Sequence, residues 1–379
     1  MEFPYAELDP HMQFEIALRF NYRTLIQFRM TSRVFLETIW KNEFFWNRKT
    51  EYDFGEFYDV DTFEGSSWDN YQHCRKQFTY GLIDAIQAKN LSLAEAILAI
   101  NEEKQFLMLN CRGPHNFTLL MYASRVGYTN IVRKLLDLGA DPDLQNKSGC
   151  TALMICCSLF WDSEFDPKNV IPILLEKGAN VNLQDKSGET VLMKISGFGN
   201  CSELVEMLIN HGADLNIENK NKNNALGLAC YWGRENNLEA MLRSKKKIKK
   251  KYLKRAFLEA SYGGYESMFD SIVEYDFDAL DISTYNEAME GACSNNHRAI
   301  AEKLLNFGAD VNFINDGGYS LLWFATVRNR ESIVELLLSR GADPSISLRN
   351  ARSALEIAQS HNYINIVRMM EEAISPSTS

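Results

Sequence analysis

Three places in the chain carry residue types whose spacing could support chemistry: Asp53-Phe54-Gly55, Cys111 with His115 four positions on, and the adjacent pair His73-Cys74. Asp-Phe-Gly can hold magnesium beside a nucleotide. That use also needs a glycine-rich loop, a Val-Ala-x-Lys strand and a His-Arg-Asp loop, and none accompanies it. Cys-x-x-x-His is half of a tetrahedral zinc site, but no second half lies nearby, and His73-Cys74 has the same defect. No Gly-x-Ser-x-Gly, phosphate-binding loop or His-Glu-x-x-His is present. The histidines are dispersed at positions 11, 73, 115, 211, 297 and 361. His211 stands just before Gly212, near a helix C-terminus, where a cation is mildly favoured. We expect no catalytic residue, no metal and no cofactor, and therefore a protein that acts by binding.

Charge is concentrated in one stretch. Lys245, Lys246, Lys247, Lys249, Lys250 and Lys251, followed by Lys254 and Arg255, place eight cations within eleven residues. Such a run can serve nuclear import or nucleic-acid binding. It stands where one repeat hands over to the next, Tyr252 is the only aromatic interleaved, and the whole chain carries a net charge of −10. A solvated helix face is the expected reading, and an acidic partner segment is a third. The overall charge argues against nucleic acid and anionic membranes as partners.

The elements that position these residues are short and recurrent. From Asn116 to Leu144, Thr118 opens one helical pattern, Gly127 breaks it, a second pattern runs through Ile131, Val132, Leu135 and Leu136, and Gly139-Ala140-Asp141 ends it. Helices this short are marginal alone, so each apolar face needs a neighbour. Gly-Ala-Asp or Gly-Ala-Asn recurs at Gly139, Gly178, Gly212, Gly308 and Gly341, in steps of 39, 34, 96 and 33 residues. Glycine is the residue that accepts the left-handed geometry closing a helix. The 96-residue gap is about three periods, so two units inside it have lost the landmark.

A period near 33 with two helices per unit resembles the ankyrin repeat. The family's Thr-Pro-Leu-His signature is altered here to Thr118-Leu119-Leu120-Met121, Thr151-Ala152-Leu153-Met154 and Thr190-Val191-Leu192-Met193. Threonine and the core leucine are kept; proline and histidine are lost. The resemblance implies an all-α ankyrin-repeat solenoid of helix-turn-helix repeats with short hairpin loops, about eight to nine units over residues 79–374. A first unit is expected from Tyr80 to Ile100. Later units start near Asn116, Ser148, Ser187, Asn221, Lys250, Ser283 and Gly317, and a half-unit from Ser353 to Ala373 closes the stack. Residues 375–379 are expected to form a disordered tail.

Solenoids bind through loops on one face. The 39-residue step carries six extra residues, placed within about Phe160 to Pro167, between its helices. Its Phe160, Trp161 and Phe165 are candidate target-binding residues, because aromatics are enriched at binding hot spots. The alternative is that they fold back onto the adjacent repeat. Lys147, Lys186 and Asp316, at three hairpin tips, complete the candidate target-binding set.

Residues 1–50 do not follow the repeat. Leu8-Asp9-Pro10 is followed by apolar positions at Phe14, Ile16, Leu18, Leu25 and Ile26, then Ser32-Arg33-Val34-Phe35, and finally Phe44-Phe45-Trp46. Three short helices are expected, with more apolar positions than one buried stripe can hide, so some face a partner. This order resembles an F-box, with Asp9 interrupting the usual Leu-Pro start. The resemblance implies a helical F-box-like domain, joined by a 51–78 linker to the repeats, that docks the Skp-family adaptor of cullin–RING ubiquitin ligases. Leu8, Pro10, Phe14, Ile16, Leu25 and Phe35 would be the adaptor-binding residues. Tyr52-Asp53-Phe54-Gly55 and Ser67-Trp68-x-x-Tyr71 are similar to F-box–ankyrin proteins of large DNA viruses of amoebae.

The implied function is a substrate-recognition subunit that does no chemistry itself. The alternative is a scaffold or decoy that blocks a host protein. The eight scattered cysteines include no Cys-x-x-Cys and read as small buried hydrophobes in a reducing compartment. The N-terminus has neither the basic nor the apolar region of a secretory signal. The longest apolar run, Ala152 to Trp161, is half the roughly 20 residues of a membrane span. A monomer in the cytoplasm, or in the nucleus if the lysine run is used, is expected.

Overall fold

A threonine whose hydroxyl can reach a backbone N–H three residues on starts a helix, and this is how the repeats begin. Thr118, Thr151 and Thr190 accept from the N–H of Met121, Met154 and Met193, each at 3.3 Å. Asn224, Ser320 and Ser353 do the same for later helices. The computed structural model describes Lys49 and residues 67–104, 107–157, 169–199, 201–244, 246–346 and 352–374. Residues 1–48, with the expected F-box-like domain and all six adaptor-binding residues, lie outside the described residues, as do Phe160, Trp161, Phe165 and Lys245.

The described residues contain nine helix pairs and divide into two compact units at Asn180 and Val181. In the first unit, α1 (Ser67–Gln87), α3 (Leu119–Val126) and α5 (Ala152–Cys157) pack in one row. The row behind it is α2 (Leu91–Lys104), α4 (Thr129–Asp137) and α6 (Ile171–Glu176). The second unit has a front row of α7 (Val191–Ser196), α9 (Ala225–Tyr231), α11 (Lys250–Gly263), α13 (Ile282–Asn295), α15 (Leu321–Val327) and α17 (Ala354–Ser360). Its back row is α8 (Ser202–Asn210), α10 (Glu235–Arg243), α12 (Glu266–Tyr275), α14 (Arg298–Asn306), α16 (Glu331–Ser339) and α18 (Ile364–Ile374). Among the described residues no helix is long and apolar enough to cross a membrane. The only bridge recorded among them is an isolated one, Ile314 with Ser320.

The landmark glycines behave as their chemistry requires. Gly139, Gly178, Gly212, Gly308 and Gly341 all have φ between 83° and 97°. The alanine after each donates its N–H back into the helix it closes, as Ala213 does to Leu208 at 3.0 Å. Those alanines are buried. Beyond them the chain turns on Asn or Asp side chains. Asn146, Asp185, Asn219 and Asn315 each accept, through one oxygen, from backbone N–H groups two and four residues on. A second set ties neighbouring repeats: the N–H of Asp214 donates to Asn182, that of Lys249 to Asn216, and that of Asp343 to Asn312, at 2.8–2.9 Å. An Asx side chain that replaces a neighbour's missing hydrogen bond satisfies backbone that would otherwise be left unpaired.

Two repeats depart from this plan, and each follows a helix pair that lacks the closing landmark. Their front helices, α11 and α13, are 14 residues long, against six or seven for α7, α9 and α15. The longer helices take the place of the hairpin. Their interior is aromatic: Phe257 and Phe269 are fully buried with ring centroids 4.6 Å apart, and Tyr285 and Phe307 join them at 6.0 and 6.2 Å.

The first repeat also begins earlier than its sequence suggested. Residues 67–78, expected as linker, are the start of α1, with Tyr71, Cys74 and Phe78 buried. Their i, i+3, i+7 spacing makes an apolar stripe, but no landmark residue announces it. Cys74, Cys156, Cys157, Cys201, Cys230 and Cys293 are buried, while Cys111 and Cys150 are half-buried. Burial pushes the Cys74 thiol up to about 11 and that of Cys156 up to about 12.

Acid should loosen the second unit. The Lys254 ammonium, 2.5 Å away, and the Thr284 hydroxyl and N–H hold the Asp281 carboxyl well below its ordinary 3.8 while it caps α13. The Ser345 hydroxyl and N–H lower Asp343 in the same sense. Both groups have depressed folded-state values, so their contribution is complete above the unfolded value near pH ~4 and is lost as pH falls through the folded values. Melting followed by circular dichroism should show a midpoint that is flat from about pH 5 to 8 and declines below about pH 4. A midpoint that rises on acidification would contradict this.

Candidate protein-binding surface

The front helices of the second unit expose what their back rows bury. Counting back two residues from the left-handed positions Gly233, Gly264, Asn296 and Asn329 gives Tyr231, Tyr262, Ser294 and Val327 in one column. Tyr231, Trp232 and Tyr262 are more than half exposed, at 58%, 53% and 55%. Tyr231 and Trp232 meet edge to face at 5.1 Å. Three large aromatics left open on adjacent helices are not required by the core.

Ser294 breaks the column with a small residue, and a cavity of about 370 Å³ opens there. The middle helix, α13, contributes Ala288, Gly291 and Ser294. Tyr262 and Leu258 of α11 form one wall, and Phe324 of α15 the other. Gly291 allows the close approach of α11 and α13: a Cβ would meet the Tyr262 backbone at 3.3 Å and its side chain at 3.4 Å, a tight fit that would make the two helices give slightly. Charged groups rim the space. Arg255 is bound to Glu259 at 2.7 Å, one turn along α11. Glu290 accepts from Asn315 Nδ2 at 3.1 Å. Glu287 and Arg328 are exposed.

The turn beneath this face is fixed from the next repeat. Arg234 Nε donates to the Gly197 carbonyl at 3.2 Å, His297 Nε2 meets that of Tyr262 at 3.0 Å, and Arg330 Nε donates to that of Ser294 at 3.4 Å. Helix ends held this way present Trp232 and Tyr262 on rigid elements, which limits the ordering cost of binding.

The expected site residues fall elsewhere. Lys147, Lys186 and Asp316 are exposed at their hairpin tips, and none lines the cavity. Lys186 is adjacent to the half-buried cluster of Asp185, Glu189 and Lys194, where Lys194 lies 2.6 and 3.1 Å from the two carboxylates. Burial lowers the Lys194 ammonium, but the two carboxylates outweigh it and leave it raised.

The lysine run differs from its expected form. Lys246–Lys249 are not helical, and α11 starts at Lys250. Lys251 pairs with Glu218 at 2.6 Å and Lys254 with Asp281 at 2.5 Å. Lys250 and Lys246 donate to the carbonyls of Asp278 and Ala213. These lysines stitch repeats where the hairpin is missing, leaving Lys247 and Lys249 as exposed cations. Reading the sequence missed the aromatic face because Tyr231, Trp232 and Tyr262 carry no motif. Aligning the repeats on the left-handed residue would have revealed the column.

Comparison with known proteins agrees with the architecture. The model of the family "Ankyrin repeats (3 copies)" matches residues 82–185, 159–252, 257–348 and 289–377. An ankyrin repeat protein of Borreliella burgdorferi is 33% identical over 78 residues, 21% of this chain and 36% of that one. Two plant proteins carrying the name E3 ubiquitin-protein ligase are also similar: XBOS34 of Oryza sativa subsp. japonica, 36% identical over 78 residues, and XBAT34 of Arabidopsis thaliana, 37% over 86. These cover 20% and 22% of this chain. The chain spans only 15% and 23% of those two proteins' own lengths. Ankyrin repeats serve protein–protein interaction, and the family match extends over most of the described residues: this chain belongs to the ankyrin-repeat family.

Proposed function

We propose that the chain is the substrate-recognition subunit of a cullin–RING ubiquitin ligase, with its repeats gripping a target protein and residues 1–50 docking a Skp-family adaptor. The target-binding half rests on one observation above all: Tyr231, Trp232 and Tyr262 stand open on adjacent, rigidly held front helices. Aromatic anchors beside a pocket are the usual centre of a binding hot spot. The adaptor half rests on the F-box-like order of Leu8, Pro10, Phe14, Ile16, Leu25 and Phe35, and the ligase names of the two plant relatives accord with it. In this reading the chain supplies proximity, holding a target beside a ubiquitin-charged enzyme, and makes or breaks no bond itself. The target-binding residues are then Trp232 and Tyr262, with Phe160, Trp161 and Phe165 and the tips at Lys147, Lys186 and Asp316 as additional contacts.

The test is co-elution of the full chain with a purified eukaryotic Skp-family adaptor, repeated with Leu8→Ala and Pro10→Ala together. Binding should be present and should fall by about tenfold or more in the double variant, as two buried anchors are truncated. No co-elution, or co-elution that survives the double change, removes the adaptor role. The remaining reading would then be a scaffold or decoy that occupies a host protein without ubiquitin chemistry.

A further inference from the structure

We propose that the cavity between α11, α13 and α15 receives an arginine side chain from a basic segment of the bound protein. This rests on the target-binding reading above and adds the chemistry of what is bound.

The cavity offers two features that arginine alone among the side chains satisfies together. Its walls are aromatic: Tyr262, more than half exposed, faces the space from α11, and Phe324 borders it from α15. A guanidinium stacks on such rings through its planar, weakly hydrated face. Its rim is acidic in balance. Glu259, Glu287 and Glu290 stand against Arg255 and Arg328, and Arg255 is already engaged by Glu259 at 2.7 Å. Glu290, which lines the cavity, accepts one hydrogen bond, from Asn315 to its Oε2. Glu287 is exposed and has no cationic partner among the described residues. One turn of α13 therefore carries an unpaired carboxylate, Glu287, beside one with a single neutral donor, Glu290, and arginine's forked N–H groups match carboxylate oxygens in pairs.

Competing occupants fit less well. A leucine or phenylalanine would fill the space but would cover carboxylates without pairing them, which is costly. A lysine would neutralise one carboxylate as a point charge but would not stack. An acidic residue would be repelled by the same rim. The chain's net charge of −10 draws basic segments in general. A space of about 370 Å³ admits one long side chain but not a helix, so the partner segment is expected to lie across the front row and insert that one residue. Arg328, at the exposed edge on α15, would then meet the segment's next carboxylate or carbonyl.

The test uses the full chain, with tyrosines replaced by fluorotyrosine and the Tyr262 signal assigned by comparison with Tyr262→Phe. N-acetyl-arginine methylamide is titrated, followed by its lysine, citrulline and leucine counterparts. The arginine compound should shift the Tyr262 signal at concentrations about fivefold or more below those needed for lysine, with citrulline and leucine weaker still. Glu287→Gln with Glu290→Gln should weaken the arginine response by about tenfold, and Glu287→Arg alone should do the same. Glu287→Arg is the control for folding, because Glu290 also holds Asn315 and Glu287 holds nothing. A leucine response equal to that of arginine would identify an apolar anchor site instead. An arginine response unchanged by Glu287→Arg, or no response to arginine, also overturns the proposal. Target binding is scored separately: if Trp232→Ala with Tyr262→Ala abolishes it while Glu287→Arg leaves it intact, the binding face stands and the arginine assignment falls.

Discussion

Replacing Phe269 by alanine is expected to lower the stability of the second unit by roughly 3–5 kcal/mol, the range for deleting a fully buried aromatic side chain. The ring lies at 0% exposure on back helix α12. It touches Phe257 across the repeat at 4.6 Å and is stacked parallel with Phe307 of the following one at 6.2 Å. These repeats lack the hairpin found in their neighbours, so the aromatic cluster carries more of the join between them. In a solenoid each repeat is held by its own fold and by the interfaces on either side. Phe269 serves one repeat core and one interface, and its loss should weaken both. Urea unfolding followed by circular dichroism should show a lowered midpoint, together with an early transition as the divergent repeats separate from the rest. A loss under about 1 kcal/mol would mean that the site collapses to fill the space and that the cluster is not the joint described here.

The second large effect is expected at Asn237. This residue is fully buried at the start of α10. Its Oδ1 accepts from the Cys201 N–H at 3.0 Å, and its Nδ2 faces the carbonyls of Ile195, Ser196, Phe198 and Gly199 at 3.1–3.4 Å. It is a polar plug that closes the turn after α7. Leucine has nearly the same shape but neither donor nor acceptor. Asn237→Leu would leave a buried N–H and several carbonyls without their partner, at a cost of about 1–3 kcal/mol per stranded group. We expect a total of roughly 2–4 kcal/mol, since some carbonyls can turn to water. Hydrogen exchange is the direct check: the Cys201 amide should lose protection far beyond the global change. An unchanged Cys201 amide would show that another acceptor takes over.

The sequence was legible wherever one residue type had one geometric use. Thr118, Thr151 and Thr190 could be read as caps, and Gly139, Gly178, Gly212, Gly308 and Gly341 as helix stops, because few side chains meet those conditions. The divergent repeats were placed by arithmetic from the 96-residue step, but their long helices were not foreseen. Nothing in Lys250–Gly263 or Ile282–Asn295 differs in kind from an ordinary amphipathic helix. The start of α1 was missed for the same reason. The face at Tyr231, Trp232 and Tyr262 was illegible for a different one. Exposure is a property of what stands opposite a residue, and an exposed tyrosine is spelled like a buried one. The lysine run could be seen as a charge cluster, yet its partners Glu218 and Asp281 lie 33 and 27 residues from the lysines they bind. Only the stacking brings them together.

The side-chain bonds that tie Asp214 to Asn182, Lys249 to Asn216 and Asp343 to Asn312 also restrict how such a gene can change its length. Each rung matches a donor to an acceptor 31–33 residues earlier, so deleting a codon between the two partners would put that rung out of step. Duplicating or excising a whole module keeps all rungs aligned. Lineages carrying this architecture should therefore differ by complete modules, with smaller insertions confined to places between rungs, such as the sequence insertion between α5 and α6.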